Sequence, residues 1–205
     1  MYPSVRAAFR AFNEPFEGVV PWMYLDIKGL VTVGVGNLID PVALALALPF
    51  RLRNEPNIAA TTGQIAAEWH AIKSDTTLAR AGYRACEPLT QLGLDDASID
   101  ALIAVRLDEN EQILKKNAAF RGFDDWPADA QLGLLSMAWA LGPGGPARFR
   151  RFATACLNHD FVRAAANCAI NAQGNPGVAP RNRANQTLFQ NAAVAPNPSL
   201  LHYPS

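Results

Sequence analysis

Apolar residues recur at helical spacing over most of this chain. Phe9, Phe12 and Phe16 follow one another at intervals of three and four residues, which places them on one face of a first helix. Pro15 should end or bend that helix near Glu14, because proline has no backbone N–H to donate. Similar spacing and helix-start signals predict further helices over residues 42–48, 61–78, 97–116, 127–141, 147–157, 160–171 and 181–193.

The period changes between residues 22 and 37. Small and β-branched residues alternate with glycine over residues 30–36, a pattern typical of strands and tight turns. Residues 26–29 have the composition of a hairpin turn, in which Gly29 can adopt positive φ. The sequence therefore predicts an α+β fold that is mostly helical, with one small β-hairpin or three-stranded sheet near the N-terminus.

Two local signals indicate where helices begin after this sheet. Asp40 precedes Pro41, so we expect Asp40 to cap the helix over residues 42–48 with proline at its first position. Thr61 and Gln64 have the spacing of a capping box at the start of the next helix.

Composition narrows the classes of partner. The 205 residues carry equal numbers of acidic and basic side chains, and no apolar run approaches the ~20 residues of a membrane helix. We therefore expect neither a nucleic-acid nor a membrane partner. The three cysteines (Cys86, Cys156 and Cys168) have unrelated spacings, which predicts buried thiols made in a reducing compartment. No metal-binding motif is present in the sequence.

Candidate chemistry lies where the first helix gives way to the sheet. Glu17 follows apolar Phe16, whereas Asp26 lies in a polar turn, so one environment favours a protonated carboxyl and the other an ionised one. Hydrolysis of a glycosidic bond uses such a pair. Thr32 could return along the hairpin to hydrogen-bond the same water as Asp26. The alternative is that both acids are ordinary surface residues and that the glycines only form a tight hairpin.

This segment resembles the signature of the phage-type lysozymes, family 24 of the glycoside hydrolases. Those proteins carry Glu-Gly after the first helix, then an aromatic residue and an aspartate, and then Gly-x-x-Thr-x-Gly-x-Gly. The same order appears here from Glu17 to Gly36. Residues 130–142, 149–171, 176–178 and 181–189 resemble later helices and the closing segment of that family, whereas residues 44–121 resemble it least and are longer.

The resemblance implies a mechanism. Glu17 would be the general acid, Asp26 the base or electrostatic partner, and Thr32 would help to hold the attacking water. It also implies inversion at the anomeric carbon, which requires carboxyl groups about 6.5–9.5 Å apart. The bond cleaved would be the β-1,4 linkage between N-acetylmuramic acid and N-acetylglucosamine in bacterial peptidoglycan, with no metal or organic cofactor. This chain departs from the family at Asn37, where many members have histidine.

The resemblance also implies an organisation. We expect one lysozyme-like, two-lobed domain over residues 1–195, with a sheet lobe at 22–37, an enlarged helical middle at 40–125 and a helical lobe at 127–193. Residues 196–205 would form an irregular tail, and the protein would be a monomer.

Three residues are candidates for substrate binding. Trp139 could stack on a sugar ring, Leu38 could line the same groove, and Asn182 could reach saccharide hydroxyls. The alternatives are that Trp139 packs in the core with its neighbours on the helix, and that Asn182 caps the last helix.

Two other functions remain open at this point. A lytic transglycosylase would use Glu17 alone and form an anhydro sugar, and a non-catalytic peptidoglycan-binding module would keep the lysozyme shape without turnover. The first residues lack the apolar core of a secretory signal. We therefore expect synthesis in the cytoplasm and action in the periplasm or cell wall after delivery through a phage pore or an injection machine. A phage endolysin and a secreted antibacterial effector both fit, and an effector would have a cognate immunity protein.

Overall fold

The computed structural model describes residues 1–173, 177–195 and 197–204 of the chain. These residues are mostly helical and include small antiparallel sheets, which confirms the predicted α+β class. The chain divides into two units. The first contains Met1–Phe16 and Ala104–Ser205, and the second contains Glu17–Ile103. Among the described residues, no helix is long and apolar enough to cross a membrane.

The first helix, α1, covers Pro3–Glu17 and therefore continues past the expected stop at Pro15. Phe9 and Phe12 are buried, as the spacing predicted, and Phe16 is half-buried. Proline is tolerated here because it lies in the last turn, where it removes one hydrogen bond just before the helix ends. Gly18, with φ of 71°, follows directly in the left-handed conformation.

The second unit contains the predicted sheet. Strands β1 (Val20–Leu25), β2 (Val31–Gly34) and β3 (Asn37–Leu38) form an antiparallel sheet in that order. Gly29 has φ of 73° in the turn between β1 and β2, as expected. One face of the sheet is apolar and buried, with Met23, Leu25, Val31, Val33 and Ile39 each no more than 2% exposed. This face anchors the sheet in the core of the unit.

Helices and a second sheet complete this unit. The helices are α2 (Val42–Leu46), α3 (Thr62–Ser74), α4 (Leu78–Ala81) and α5 (Tyr83–Cys86). Strands β4 (Arg51–Leu52) and β5 (Leu92–Gly93) form a two-stranded antiparallel sheet. The expectation of a single sheet was therefore wrong, because strands of two residues are too short to show an alternating pattern. The helices predicted over residues 42–48 and 61–78 are also shorter than expected.

The two predicted helix starts have different outcomes. The capping box is confirmed, since Thr61 Oγ1 accepts from the Gln64 N–H at 3.2 Å and Gln64 Oε1 accepts from the Thr61 N–H at 2.8 Å. Asp40 does not cap α2, whose N-cap is Pro41 without a side-chain bond. The Asp40 carboxylate binds Lys73 instead, because an ammonium group offers a stronger, charged donor than a helix N–H.

The first unit is built from longer helices. After α6 (Asp96–Lys115), which begins in the second unit, come α7 (Ala128–Leu141), α8 (Arg150–Leu157), α9 (Phe161–Asn167) and α10 (Val178–Val194). Every residue of α7 from Ala128 to Trp139 is buried. A Cβ built on Gly133 would lie 3.0 Å from the Phe189 ring, so this glycine sets the close approach of α7 and α10. The helix predicted over residues 160–171 ends at Asn167.

A buried arginine ties three helices of this unit together. Arg181 of α10 is 3% exposed and donates to Asn13 Oδ1 of α1 at 3.2 Å and to the Ser136 carbonyl of α7 at 3.0 Å. Its guanidinium group also lies over the Phe16 ring, 5.0 Å from the centroid.

The cysteines and the C-terminal segment agree with the sequence where they can be compared. Cys86, Cys156 and Cys168 are free and buried, and burial raises the pKa of Cys168 to about 11. Residues 197–204 contain no helix or strand. Residues 174–176, which carry part of the closing motif, and Pro196 and Ser205 of the tail lie outside the described residues.

Residues 197–204 are hydrogen-bonded to the first residues of α7. The Pro198 carbonyl accepts from the Ala128 N–H at 2.7 Å, and the Asp129 carboxylate accepts from the His202 N–H at 2.8 Å. The same carboxylate accepts from Asn191 Nδ2 at 3.1 Å. This irregular segment is therefore part of the packed first unit.

The two glycines that lie within helices α7 and α3 should respond oppositely to the same substitution. We expect Gly133→Leu to lower the free energy of unfolding by about 1–3 kcal/mol, because the side chain must displace the Phe189 ring. Gly63→Leu at an exposed position of α3 should be neutral or stabilising by up to about 1 kcal/mol, since leucine favours the helix. Urea denaturation of both variants checks this, and equal midpoints would contradict it.

Candidate active site

Glu17 is the last residue of α1 and lies three residues before β1. Gly18 ends the helix at this point with a positive φ that side chains other than glycine adopt at a cost. The helix end therefore fixes Glu17 at the entry to the sheet. Glu17 is half-buried.

Asp26 is held by the turn between β1 and β2. Its Oδ1 accepts from the Lys28 N–H at 2.8 Å and from the Leu30 N–H at 2.9 Å. Its own N–H donates to the Leu30 carbonyl at 2.9 Å, and its carbonyl accepts from the Gly29 N–H at 2.9 Å. Four hydrogen bonds thus fix the backbone and one carboxylate oxygen. Oδ2 makes no hydrogen bond to the described part of the chain and stays available.

The strand register brings Asp26, Thr32 and Leu38 to one face of the sheet. Thr32 lies opposite Tyr24 on one side and opposite Leu38 on the other. Asp26 follows Tyr24 by two residues, so it continues on the same face. Asp26 and Thr32 are then diagonal neighbours, a relation in which side chains lie about 7–8 Å apart. That spacing can hold one water between a carboxylate and a hydroxyl.

The side chains on this face differ in exposure and in the hydrogen bonds that they can still accept. Thr32 is 4% exposed, and its hydroxyl donates to the Leu30 carbonyl at 3.1 Å, so the lone pairs of Oγ1 still accept. Leu38 is 50% exposed although it is a large apolar residue within the sheet. The face therefore combines a fixed carboxylate, a hydroxyl acceptor and an apolar contact surface.

An irregularity in β1 shortens the path from Glu17 to Asp26. Val20 lies opposite Gly34 and Tyr24 lies opposite Thr32, so four residue steps on β1 face two steps on β2. Two extended steps span about 7 Å, whereas four would span about 13 Å. Two residues of β1 are therefore extra in this stretch, as in a β-bulge, and Val20 and Tyr24 lie closer together than in a regular strand.

An ion pair braces the Asp26 turn from outside. Lys73 Nζ on α3 donates to Asp40 Oδ2 at 2.5 Å and to the Gly29 carbonyl at 2.8 Å. Asp40 Oδ2 also accepts from the Val31 N–H at 3.2 Å. The hydrogen bond from Lys73 holds the pKa of Asp40 below its ordinary value. Sequence inspection missed this pair, since it assigned Asp40 to a cap and gave Lys73 no role. Lys73 is the only lysine of α3, and the sequence gives no other sign of its partner.

Asn37 organises the second turn of the sheet. Its Oδ1 accepts from the Val35 N–H at 3.3 Å, and a Cβ built on Gly34 would approach the same atom to 3.2 Å. Asn37 is 7% exposed. The residue that departs from the family pattern thus has a structural role in the turn.

Trp139 and Asn182 belong to the first unit and are engaged in packing. Trp139 is 3% exposed, meets Phe9 edge-on at 5.0 Å between centroids, and has the Arg106 guanidinium group 4.1 Å above its ring. Asn182 Oδ1 accepts from the Ile170 N–H at 2.9 Å, and its Nδ2 donates to the Ile170 carbonyl at 2.7 Å. The packing alternative therefore fits Trp139, and Asn182 clamps a neighbouring backbone rather than capping α10.

No family model matches the chain, and no curated protein matches it significantly. No group of three histidine, cysteine or acidic side chains suited to a metal ion occurs in residues 1–173, 177–195 and 197–204. The chemistry available on the sheet face is that of carboxyl and hydroxyl groups. An assignment of function therefore depends on these residues and their geometry.

The Asp40–Lys73 pair predicts a pH-dependent contribution to stability. Because the folded-state pKa of Asp40 lies below its unfolded value of about 3.9, the contribution is present above that value and is lost as pH falls through the folded pKa. The difference in unfolding free energy between the wild type and Asp40→Asn should shrink below about pH 4. Chemical denaturation at a series of pH values measures it. This pH dependence should be much weaker in a Lys73→Met background. Parallel curves of unfolding free energy against pH for the wild type and Asp40→Asn would refute a stabilising role of the ion pair.

Proposed function

We propose that this protein is a peptidoglycan hydrolase of the muramidase type, with a lysozyme-like, two-lobed fold. It cleaves the β-1,4 bond between N-acetylmuramic acid and N-acetylglucosamine with water. The observation that carries the proposal is the register that places Asp26, Thr32 and Leu38 on one sheet face, directly after a helix that ends at Glu17. The order of these residues in the lysozyme signature supports it.

Glu17 acts as the general acid. It is the last residue of α1 and lies three residues before the sheet, and in the proposed reaction its carboxyl group gives a proton to the leaving oxygen. As the bond between the sugars breaks, the leaving hydroxyl takes that proton and positive charge develops at the anomeric carbon.

Asp26 acts as the base, with Thr32 holding the water. Asp26 Oδ1 is occupied by two N–H groups, which leaves Oδ2 to take a proton from water. The Thr32 hydroxyl donates to Leu30, so its lone pairs orient that water as it attacks the anomeric carbon. The proton passes to Asp26, and the products are two sugars with free hydroxyl groups. Leu38 contacts the apolar side of a sugar ring beside this water.

The setting of this activity is part of the same proposal. Peptidoglycan lies outside the cytoplasm, so the protein acts in the periplasm or cell wall after delivery by a phage pore or an injection machine. In an effector, an immunity protein would protect the producing cell. The balanced net charge offers no general attraction to an anionic wall, so substrate contacts on the sheet face must supply the affinity.

Removal of the acid should abolish turnover. We expect Glu17→Gln to reduce release of reducing ends from purified peptidoglycan by about 10²–10⁴-fold, because glutamine cannot donate a proton to the leaving oxygen. Glu14→Gln is the matched control on the same helix, since Glu14 is exposed and pairs only loosely with Arg10 at 3.9 Å. The proposal fails if the Glu17 variant is folded and retains substantial activity.

Substitutions of Asp26 and Thr32 test how the attacking water is activated and held. Asp26→Asn keeps an oxygen for the two turn hydrogen bonds but removes the base, so we expect a loss of about 10²-fold or more. Thr32→Ala should lose about tenfold and Thr32→Ser much less, because serine retains the acceptor. Mass spectrometry of the products provides the second readout.

Product masses separate the remaining functions. Hydrolysis predicts products that retain the added water, whereas products lighter by one water, with full activity in Asp26→Asn, would assign a lytic transglycosylase. Sedimentation with peptidoglycan in the absence of any released reducing ends would assign a non-catalytic binding module.

A further inference from the structure

A cavity between helices α8 and α9 of the first unit has the character of an anion site. Its volume is about 350 Å³, within the range of small-molecule sites. Arg150, Arg151 and Arg163 line it, with Asp160 as the acidic member. The cavity therefore carries a local excess of positive charge in a chain whose net charge is zero.

Two of the three arginines lack a protein counter-ion. Within the part of the chain that the structure describes, Arg150 and Arg151 have no ion-pair partner, and both are exposed. Arg163 is different, because its Nε lies 3.3 Å from Asp160 Oδ2. Asp160 Oδ1 also accepts from the Arg163 N–H at 2.9 Å. The unneutralised charge is thus concentrated at the Arg150 and Arg151 end, away from the one carboxylate.

The helix adds to this charge. Arg150 and Arg151 form the first turn of α8, and the N-cap residue Phe149 provides no side-chain acceptor for the first N–H groups. The partial positive charge of a helix N-terminus favours an anion at this end. The hydroxyl of Thr154 and the amide of Asn158 line the same cavity and supply neutral hydrogen-bonding groups.

We infer that this cavity binds a phosphate-bearing ligand with at least two negative charges. Guanidinium groups bind phosphate oxygens in pairs of parallel hydrogen bonds. The lining residues come from two helices and from the turn between them, so donors reach the ligand from several directions. A tetrahedral phosphate accepts from several directions, whereas a planar carboxylate accepts mainly in its own plane. The inference does not depend on the proposed hydrolase activity.

Calorimetric titration with inorganic pyrophosphate at low salt tests the site. We expect Arg150→Gln/Arg151→Gln to weaken binding by about tenfold or more, because charge-assisted hydrogen bonds are lost. Arg80→Gln/Arg84→Gln is the matched control, since it removes the same charge from exposed positions on α4 and α5. If both double variants weaken binding equally, the net charge of the protein explains the affinity, and the proposed site is refuted.

Two further measurements keep the test decisive. Amide NMR shifts of the wild-type protein should change on addition of pyrophosphate over residues 150–167, and their absence at millimolar ligand would refute the site even if the variants misfold. Malonate should bind more weakly, and equal affinity would refute the preference for phosphate. A glycerol phosphodiester carries a single negative charge and should bind more weakly than pyrophosphate, and equal affinity would refute the requirement for two charges.

Discussion

The register of the three-stranded sheet is the constraint on which the candidate site depends. A shift of one residue would move Asp26, Thr32 and Leu38 to the opposite face of the sheet, in place of the apolar residues. The turn at Asp26 prevents such a shift, because its carboxylate accepts from the Lys28 and Leu30 N–H groups. The side chain proposed as the base is thus also the one that sets the alignment, and its second oxygen remains available.

The turn that carries Asp26 is also held by groups that take no part in the proposed reaction. Lys73 and Asp40 hold the turn from the side of α3 through the Gly29 carbonyl and the Val31 N–H, without using the carboxylate of Asp26. Gly18 ends α1 at the residue that we propose as the acid. A side-chain ion pair thus supports the Asp26 turn, and the positive φ of Gly18 ends the helix at Glu17.

Sequence could predict features whose causes are local. The Asp26–Gly29 turn, the capping box at Thr61 and the buried faces of α1 follow from neighbouring residues, and the structure has them. Asp40 was assigned wrongly because its partner Lys73 lies 33 residues away and charge pairing outweighs capping. Trp139 left two alternatives open, since an aromatic at helical spacing fits both a core and a binding surface until its neighbours Phe9 and Arg106 are known.

The first unit is discontinuous in sequence, and this has a consequence for the order of assembly. Arg181 joins Asn13 across 168 residues, and Tyr2 donates to Gln131 across 129. Residues 17–103 are contiguous, so their contacts can close while the chain is still being synthesised. Helix α1 is synthesised before α10, so Asn13 can bind Arg181 only once α10 has been made. The apolar face of α1, with Phe9 and Phe12, therefore stays uncovered until the later helices of its unit have been made.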